Sequence, residues 1–83
     1  MVRYKDLKVG KELYDLQGLN IIKITIKEVH NGTYTYLHNG KETYCTKYQG
    51  KYYDNDELTN YFNTKEEVRE EAIKKIDNRL SNI

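Results

Sequence analysis

The chain has 83 residues, of which 33% are charged and 37% are hydrophobic, and its formal net charge at pH 7 is +1. A chain of this length forms one small domain and buries only about 60 to 65% of the surface that its unfolded state exposes. Its nearly balanced charge lacks the strong excess of Lys and Arg that is typical of nucleic-acid-binding domains.

The amino-terminal segment, Met1 to Asp6, is charged and is not followed by an apolar run. This pattern predicts neither a signal peptide nor a membrane-spanning segment. The single cysteine, Cys45, excludes a disulfide within the chain and is typical of a reducing compartment. We therefore expect a cytoplasmic protein without membrane contact.

The first two strands are predicted on either side of Gly18. Lys11 to Leu16 form a short strand, and a long, Ile-rich strand begins at Asn20. Glycine permits the positive φ that a tight turn between them requires.

Two Asn-Gly pairs, Asn31-Gly32 and Asn39-Gly40, separate three strand-like runs over residues 20–48. Asn-Gly is the preferred pair for type I′ turns, in which both central residues have φ > 0. The sequence therefore predicts an antiparallel meander, with Val29 opposite Tyr34 and Tyr34 opposite Cys45.

The apolar side of the long strand changes along its length. Ile24 and Ile26 share one face, whereas alternation places Val29 on the other. A bulge near Lys27 and Glu28 would bend the strand and bring both apolar sets onto one side. The alternative is a flat sheet that leaves half of its Tyr rings in solvent.

The end of the meander is predicted to carry a fifth strand. Gln49-Gly50 is typical of a two-residue turn, which would place Lys51 to Tyr53 opposite Thr46 to Tyr48. Asp54 to Glu57 then end the strand, because such side chains favour turns and helix starts. The same four residues lack the central Gly of a calcium loop, so a solvated turn is expected.

A helix is predicted over residues 64–81, after a β region over residues 1–63. Thr64 to Glu67 match a capping box, in which the Thr hydroxyl accepts from the Glu67 N–H and the Glu67 carboxylate accepts from the Thr64 N–H. The apolar stripe that follows must dock on the sheet or on another chain, because burial of large apolar side chains is strongly favourable. The stripe contains Val68, Ala72, Ile76 and Leu80, with Ile73 beside them.

No motif for catalysis is present, and serine occurs once, as Ser81. His30 and His38 fall at opposite ends of one predicted strand, which is too far apart for a shared metal ion. Cys45 is most simply a small buried hydrophobe, and the alternative is a reactive thiol. We expect no enzymatic activity, no metal and no cofactor.

The nine tyrosines suggest a contact surface. Tyr rings interleaved with Lys can stack on peptide groups or bases and supply charge. We call the five residues that form this candidate the Tyr/Lys surface. The alternative is that the rings half-cover a small core with their hydroxyls in water. The Tyr/Lys surface consists of Tyr44, Lys47, Tyr48, Lys51 and Tyr53.

Three segments resemble a pattern found in short, mostly uncharacterised proteins of Gram-positive phages and mobile elements. They are Val9 to Tyr14, Ile22 to Val29 and Tyr61 to Val68, the last with its Thr-Lys-Glu-Glu helix start. The resemblance implies a small SH3-like barrel followed by a helix. It also implies a phage setting, in which small proteins commonly bind a host protein, including components of antiviral defence.

Together these features predict a mainly β, α+β fold in a single domain over residues 1–83. The expected architecture is a five-stranded antiparallel SH3-like barrel, or a strongly bent sheet, with one carboxy-terminal α-helix packed on it. The expected function is a non-enzymatic binding module that engages a protein partner through the Tyr/Lys surface or the acidic helix face. The alternatives are a nucleic-acid-binding barrel that uses the basic residues of its strands, and a homodimer that pairs its helices.

Overall fold

The computed structural model describes the backbone of residues 1–81 and the side chains of residues 1–78. A 3-10 turn at Tyr4–Asp6 precedes five strands and one helix. The strands form one antiparallel sheet in the order β4-β3-β2-β1-β5. The elements are β1 Glu12–Gln17, β2 Asn20–His30, β3 Thr33–His38, β4 Lys41–Cys45, β5 Tyr61–Phe62 and α1 Lys65–Ser81.

The predicted fold class is confirmed, and of its two forms the open sheet is the one that the chain adopts. Closure into a barrel would require the two edge strands, β4 and β5, to pair with each other. Instead, within residues 1–81, β5 pairs only with β1, through Tyr61 and Phe62, and β4 pairs only with β3. The short length of β5 leaves the sheet open.

Both Asn-Gly turns have the predicted conformation. The φ angles of Asn31 and Gly32 are 49° and 82°, and those of Asn39 and Gly40 are 51° and 78°. Positive φ at both central residues defines the type I′ turn, whose twist matches that of the flanking strands. The predicted register is confirmed close to the turns, including the pairing of Val29 with Tyr34 and of Tyr34 with Cys45. Further along β2 the count from the turn, which places Ile26 opposite Leu37, is wrong by one residue, because Ile26 pairs with Tyr36.

The predicted bulge in β2 is also confirmed. Ile26 pairs with Tyr36 and Glu28 pairs with Thr35, so that Lys27 is the extra residue between them. An extra residue reverses the alternation of faces beyond it. The apolar residues before and after the bulge therefore face the same core.

The predicted fifth strand is wrong. Residues 51–53 are not in a strand; residues 46–60 instead form a long connection, and the fifth strand of the sheet is β5. Tyr52 explains the difference, because its ring stacks on that of Tyr4, with centroids 5.7 Å apart. Its N–H donates to the carbonyl of Gly32 at 2.9 Å, which draws the chain to the β2–β3 turn and away from β4.

The core is built on one face of the sheet, and the amino-terminal segment completes it. Tyr4 donates its hydroxyl to the Thr33 carbonyl at 2.8 Å and accepts the Gly32 N–H at 3.0 Å. No local pattern in this segment predicts its place in the core. The buried cluster contains Val2, Tyr4, Leu7, Leu13, Ile24, Ile26, Tyr34, Leu58 and Tyr61.

The helix begins as predicted but docks over only part of its length. The Glu67 N–H donates to the Thr64 hydroxyl at 3.2 Å, which confirms the first bond of the capping box. Val68 is fully buried, although it lies outside the main cluster. Residues further along are exposed, with Ile76 41% and Ile73 57% accessible.

The apolar stripe therefore docks on the sheet over only its first part, and Ile73 and Ile76 are left uncovered within this chain. The helix has 17 residues, whereas the strand beside it has two, and the helix contacts β1 and β5. At about 1.5 Å per residue, a helix of this length outruns so short a strand within two turns. The side chain of Leu80, the last residue of the predicted stripe, lies outside the described residues.

We expect Gly32→Ala to destabilise the protein much more than Gly40→Ala. A Cβ at Gly32 would lie 2.6 Å from the Cβ of Lys51 and 2.8 Å from the carbonyl of Tyr52, whereas a Cβ at Gly40 meets nothing within 4 Å. Positive φ alone should cost each variant about 1 to 2 kcal/mol, and the clash should add about 1 to 3 kcal/mol at Gly32. Urea unfolding of the two variants tests this, and equal midpoints would contradict it.

Candidate functional site

The five residues of the Tyr/Lys surface come from two parts of the fold. Tyr44 lies on β4, where it pairs with Thr35. The other four lie on residues 46–60, which we call the 46–60 connection. Because Cys45 packs against the core, alternation directs Tyr44 to the opposite, outer face of the sheet.

The 46–60 connection is supported by the amino-terminal segment. The N–H of Tyr4 donates to the Asp56 carbonyl at 2.9 Å, and the N–H of Lys5 donates to the Asp54 carbonyl at 3.0 Å. Arg3 and Glu57 form an antiparallel bridge. These main-chain bonds give the connection a defined course although most of its side chains are exposed.

The carboxylate of Asp56 organises the part of the connection that carries the candidate residues. Its Oδ2 accepts the Tyr53 N–H at 2.8 Å and the ammonium of Lys47 at 3.0 Å. The main-chain N–H of Tyr53 and then the charge of Lys47 hold the pKa of this carboxyl below its usual value. The contact of Asp56 with Tyr53 spans three residues and is a local turn contact. The contact with Lys47 spans nine residues and is not predictable from a local pattern.

Three tyrosines of the Tyr/Lys surface are exposed. The accessible fractions are 66% for Tyr44, 87% for Tyr48 and 64% for Tyr53. Tyr52, in contrast, packs between Tyr4 and Tyr34. The alternative interpretation, in which the rings half-cover the core, therefore describes Tyr52 and not these three.

The two lysines of the surface have different environments. The Nζ of Lys51 lies 5.8 Å from the centroid of the Tyr53 ring, within the range of a cation–π contact. Lys47 is instead paired with Asp56. Lys51 and Tyr53 are therefore in contact, although they are not part of the predicted strand.

The acidic helix face borders a groove of about 360 Å³. Buried apolar residues, among them Val2, Leu58 and Tyr61, form part of its wall. Lys74 is the basic side chain at the carboxy-terminal end of its helical wall. The groove combines an apolar wall with four carboxylates, which belong to Glu57, Glu67, Glu70 and Glu71.

A pair of buried hydroxyls lies beneath β3 and β5. The Tyr34 hydroxyl donates to that of Tyr61 at 3.0 Å. Burial raises the pKa of Tyr61 to about 12 and raises that of Tyr34 still further. Burial also raises the pKa of the half-buried Cys45 thiol next to Tyr34, against the opposing effect of a hydrogen bond with Tyr34. A thiol with a raised pKa is a poor nucleophile at neutral pH.

The histidines do not come together with other ligands. His30 is exposed, and His38 places its Nδ1 3.3 Å from the Lys23 carbonyl. Among residues 1–81 no three side chains of His, Cys, Asp or Glu are grouped as a metal site would require. Within the same residues, no helix has the length and apolar character needed to span a bilayer.

We expect Asp56→Asn to loosen the 46–60 connection around Tyr53. A neutral amide binds the Lys47 ammonium and the Tyr53 N–H more weakly than a carboxylate does, so the Tyr53 amide should exchange with solvent faster. The pKa of Asp56 is lowered from its ordinary value of 3.8. The same loosening should therefore appear in the wild type when the pH falls below 3.8 and the carboxylate becomes protonated. Amide exchange measured by NMR tests both statements.

The matched control is Asp54→Asn, since the contact of Asp54 with Lys5 is made by its main-chain carbonyl. This variant should leave the exchange of Tyr53 unchanged. Equal acceleration in the two variants would show that the Asp56 carboxylate does not organise the connection.

We expect the free energy of unfolding to fall as the pH rises from about 10 to about 12. Tyr in an unfolded chain ionises near pH 10, whereas folded Tyr61 stays neutral until about pH 12. As the pH rises, the unfolded state therefore loses the Tyr61 proton before the folded state does. The neutral hydroxyl contributes its full stabilisation below about pH 10. Between about pH 10 and 12 the free energy of unfolding then falls by about 1.4 kcal/mol per pH unit. Tyr34 adds to the loss in the same direction.

Denaturant unfolding of the wild type and Tyr61→Phe across this range measures the effect. The variant should show a shallower decline, because one phenol of the hydrogen-bonded pair Tyr34–Tyr61 is absent. Parallel curves for the two proteins would contradict this assignment.

In a comparison with known proteins, no family model, no curated protein and no solved structure matches this chain. Its function is therefore inferred from its own residues and their geometry.

Proposed function

We propose that this chain is a non-enzymatic binding module that holds a protein partner on the Tyr/Lys surface. The supporting observation is the exposure of Tyr44, Tyr48 and Tyr53 in a chain that buries Tyr4 and Tyr34. A small domain that leaves three large rings in water forgoes a substantial gain in stability. Binding of a partner would recover part of that gain.

The support beneath these rings favours binding. Tyr44 stands on a strand of the sheet, and Tyr53 is held by the Asp56 carboxylate through its main-chain N–H. A side chain on a fixed backbone loses little conformational freedom when it is covered. Tyr is also enriched at protein interfaces, because its ring supplies contact area and its hydroxyl supplies a hydrogen bond.

The charge on the surface favours a protein over a nucleic acid. Lys47, one of the two lysines of the surface, is paired with the Asp56 carboxylate, which compensates part of the positive charge of the surface. Lys51 remains beside Tyr53 and would contact an acidic or amide group of the partner. Nucleic-acid binding through this Lys and the exposed rings is the alternative function.

The acidic groove beside the helix is the other candidate surface for a protein partner. Its four carboxylates would select a basic segment, whereas the Tyr/Lys surface would accept a segment of mixed polarity. We favour the Tyr/Lys surface because its large apolar rings are exposed, and rings of this kind dominate the energetics of interfaces.

The resemblance to short proteins of Gram-positive phages suggests what the partner would be. Small proteins of that kind commonly act by binding a host protein. The proposed partner is accordingly a bacterial protein of the host cell, such as a component of antiviral defence, and the proposed setting is the cytoplasm.

We expect the triple variant Tyr44→Ser, Tyr48→Ser, Tyr53→Ser to lose the partner. The immobilised wild type would be used to capture proteins from the lysate of a Gram-positive bacterium, and the captured protein would then be purified and titrated against each variant by calorimetry. Truncation of an interface hot spot costs more than about 1 kcal/mol, so three truncations should weaken binding by about 100-fold or more.

Two controls separate the candidate surfaces. Val9→Ser with Leu19→Ser removes exposed apolar side chains elsewhere and should leave the affinity unchanged. Glu70→Gln with Glu71→Gln removes charge from the acidic groove and should also have no effect. A loss confined to this second control would refute the assignment to the Tyr/Lys surface.

Two results would reject the proposed function itself. One is turnover of a small molecule by a protein that captures no partner. The other is binding of single-stranded DNA or RNA with an affinity that falls steeply as salt rises, which is the signature of counterion release from phosphates.

A further inference from the structure

The β4 strand forms an uncovered edge of the sheet. It pairs with β3 on one side, and nothing pairs with it on the other among the residues that the structure describes. The chain turns away immediately after it, since the Gly50 N–H donates to the Lys47 carbonyl at 3.2 Å and Tyr52 bonds to Gly32. The strand contains no Pro and no bulge, which are two of the usual protections of an exposed edge, although it is short and begins with Lys41.

The register identifies which main-chain groups are free at this edge. His38 and Lys41 flank a two-residue turn, so they form a hydrogen-bonded pair, and hydrogen-bonded pairs then alternate along the ladder. The N–H and C=O groups of Glu42 and Tyr44 therefore point away from β3. Within residues 1–81, neither residue has another main-chain hydrogen bond.

From this arrangement we infer that two copies of the chain associate through β4, in antiparallel pairing about a two-fold axis at Thr43. Glu42 of each copy would then exchange both main-chain hydrogen bonds with Tyr44 of the other. The two five-stranded sheets would become one continuous sheet. This inference is independent of the partner proposed above.

The side chains permit this register and disfavour the two adjacent registers, in which the two-fold axis would lie at Glu42 or at Tyr44. An axis at Glu42 would place two carboxylates directly opposite each other, which is destabilising. An axis at Tyr44 would require Thr46 and the residues after it to continue the strand, but β4 ends at Cys45. An axis at Thr43 places Glu42 opposite Tyr44 and Lys41 opposite Cys45, with no like charges facing each other.

The charge of Glu42 is already compensated in this arrangement. Lys27 lies on β2 and reaches across β3 to form an ion pair with the Glu42 carboxylate. Glu42 therefore brings no unpaired charge to the new interface. It also sets two copies of Tyr44 on the same outer face, so the dimer would carry two Tyr/Lys surfaces.

Two measurements on the wild-type protein test the inference, namely its mass in solution and its amide exchange. Sedimentation equilibrium should show the mass doubling as the concentration rises. Over the same concentrations the amides of Glu42 and Tyr44 should become protected from exchange, while that of the exposed connection residue Tyr48 should not. A monomer at every concentration would overturn the inference.

Disulfide trapping tests the register. In Thr43→Cys with Cys45→Ser, the two cysteines would form a non-hydrogen-bonded pair with Cα atoms about 4.5 Å apart, which is within disulfide range. Mild oxidation should therefore yield a covalent dimer. The control, Lys41→Cys with Cys45→Ser, places its two cysteines four residues apart along the paired strands, which is beyond disulfide reach, and should stay reduced.

A different mode of association would also be detected. If the copies pair through their helices, Ile73→Glu with Ile76→Glu abolishes the dimer, and Glu42 and Tyr44 stay unprotected. That result, or equal trapping of the two cysteine variants, would overturn pairing through β4.

Discussion

The tip of the β2–β3 hairpin holds the molecule together. At Gly32 the carbonyl accepts the N–H of Tyr52, and the N–H donates to the hydroxyl of Tyr4, which in turn donates to the carbonyl of Thr33. Three segments that are distant in sequence meet at this point. The absence of a side chain at Gly32 is essential, because a Cβ there would overlap Lys51 and the carbonyl of Tyr52.

This contact determines what the surface presents. Once Tyr52 is stacked on Tyr4, the residues on either side of it, Lys51 and Tyr53, are directed outward. The Asp56 carboxylate then fixes the main chain of Tyr53 and forms an ion pair with the ammonium of Lys47. The stacking of Tyr52 on Tyr4 therefore completes the small core and also fixes the tyrosine-rich surface beside it.

The chain leaves several of its own surfaces incomplete. β4 has free main-chain groups, the helix extends beyond β5, and three tyrosine rings are exposed. A domain of 83 residues has too little apolar surface to cover every element that it forms. Such incompleteness suits a protein that acts by association, and it accounts for the two proposals made above through different surfaces.

The sequence by itself determined the local structure of this protein. The Asn-Gly turns, the register of β3 with β4, the bulge at Lys27 and the start of the helix were all predictable, because each depends on neighbouring residues and on φ angles that few residues adopt. The exposure of Tyr44, Tyr48 and Tyr53 was anticipated as one of two alternatives.

Only the tertiary structure decided the course of residues 46–60, the identity of the fifth strand and the extent of helix docking. The stacking of Tyr52 on Tyr4 joins residues 48 positions apart, and such a contact overrides the local preference of Lys51 to Tyr53 for a strand. Likewise, the apolar stripe indicated which face of the helix could be buried. The two-residue length of β5 limited how much of that face is buried. Contacts between distant residues depend on the whole chain's geometry, and no short pattern encodes them.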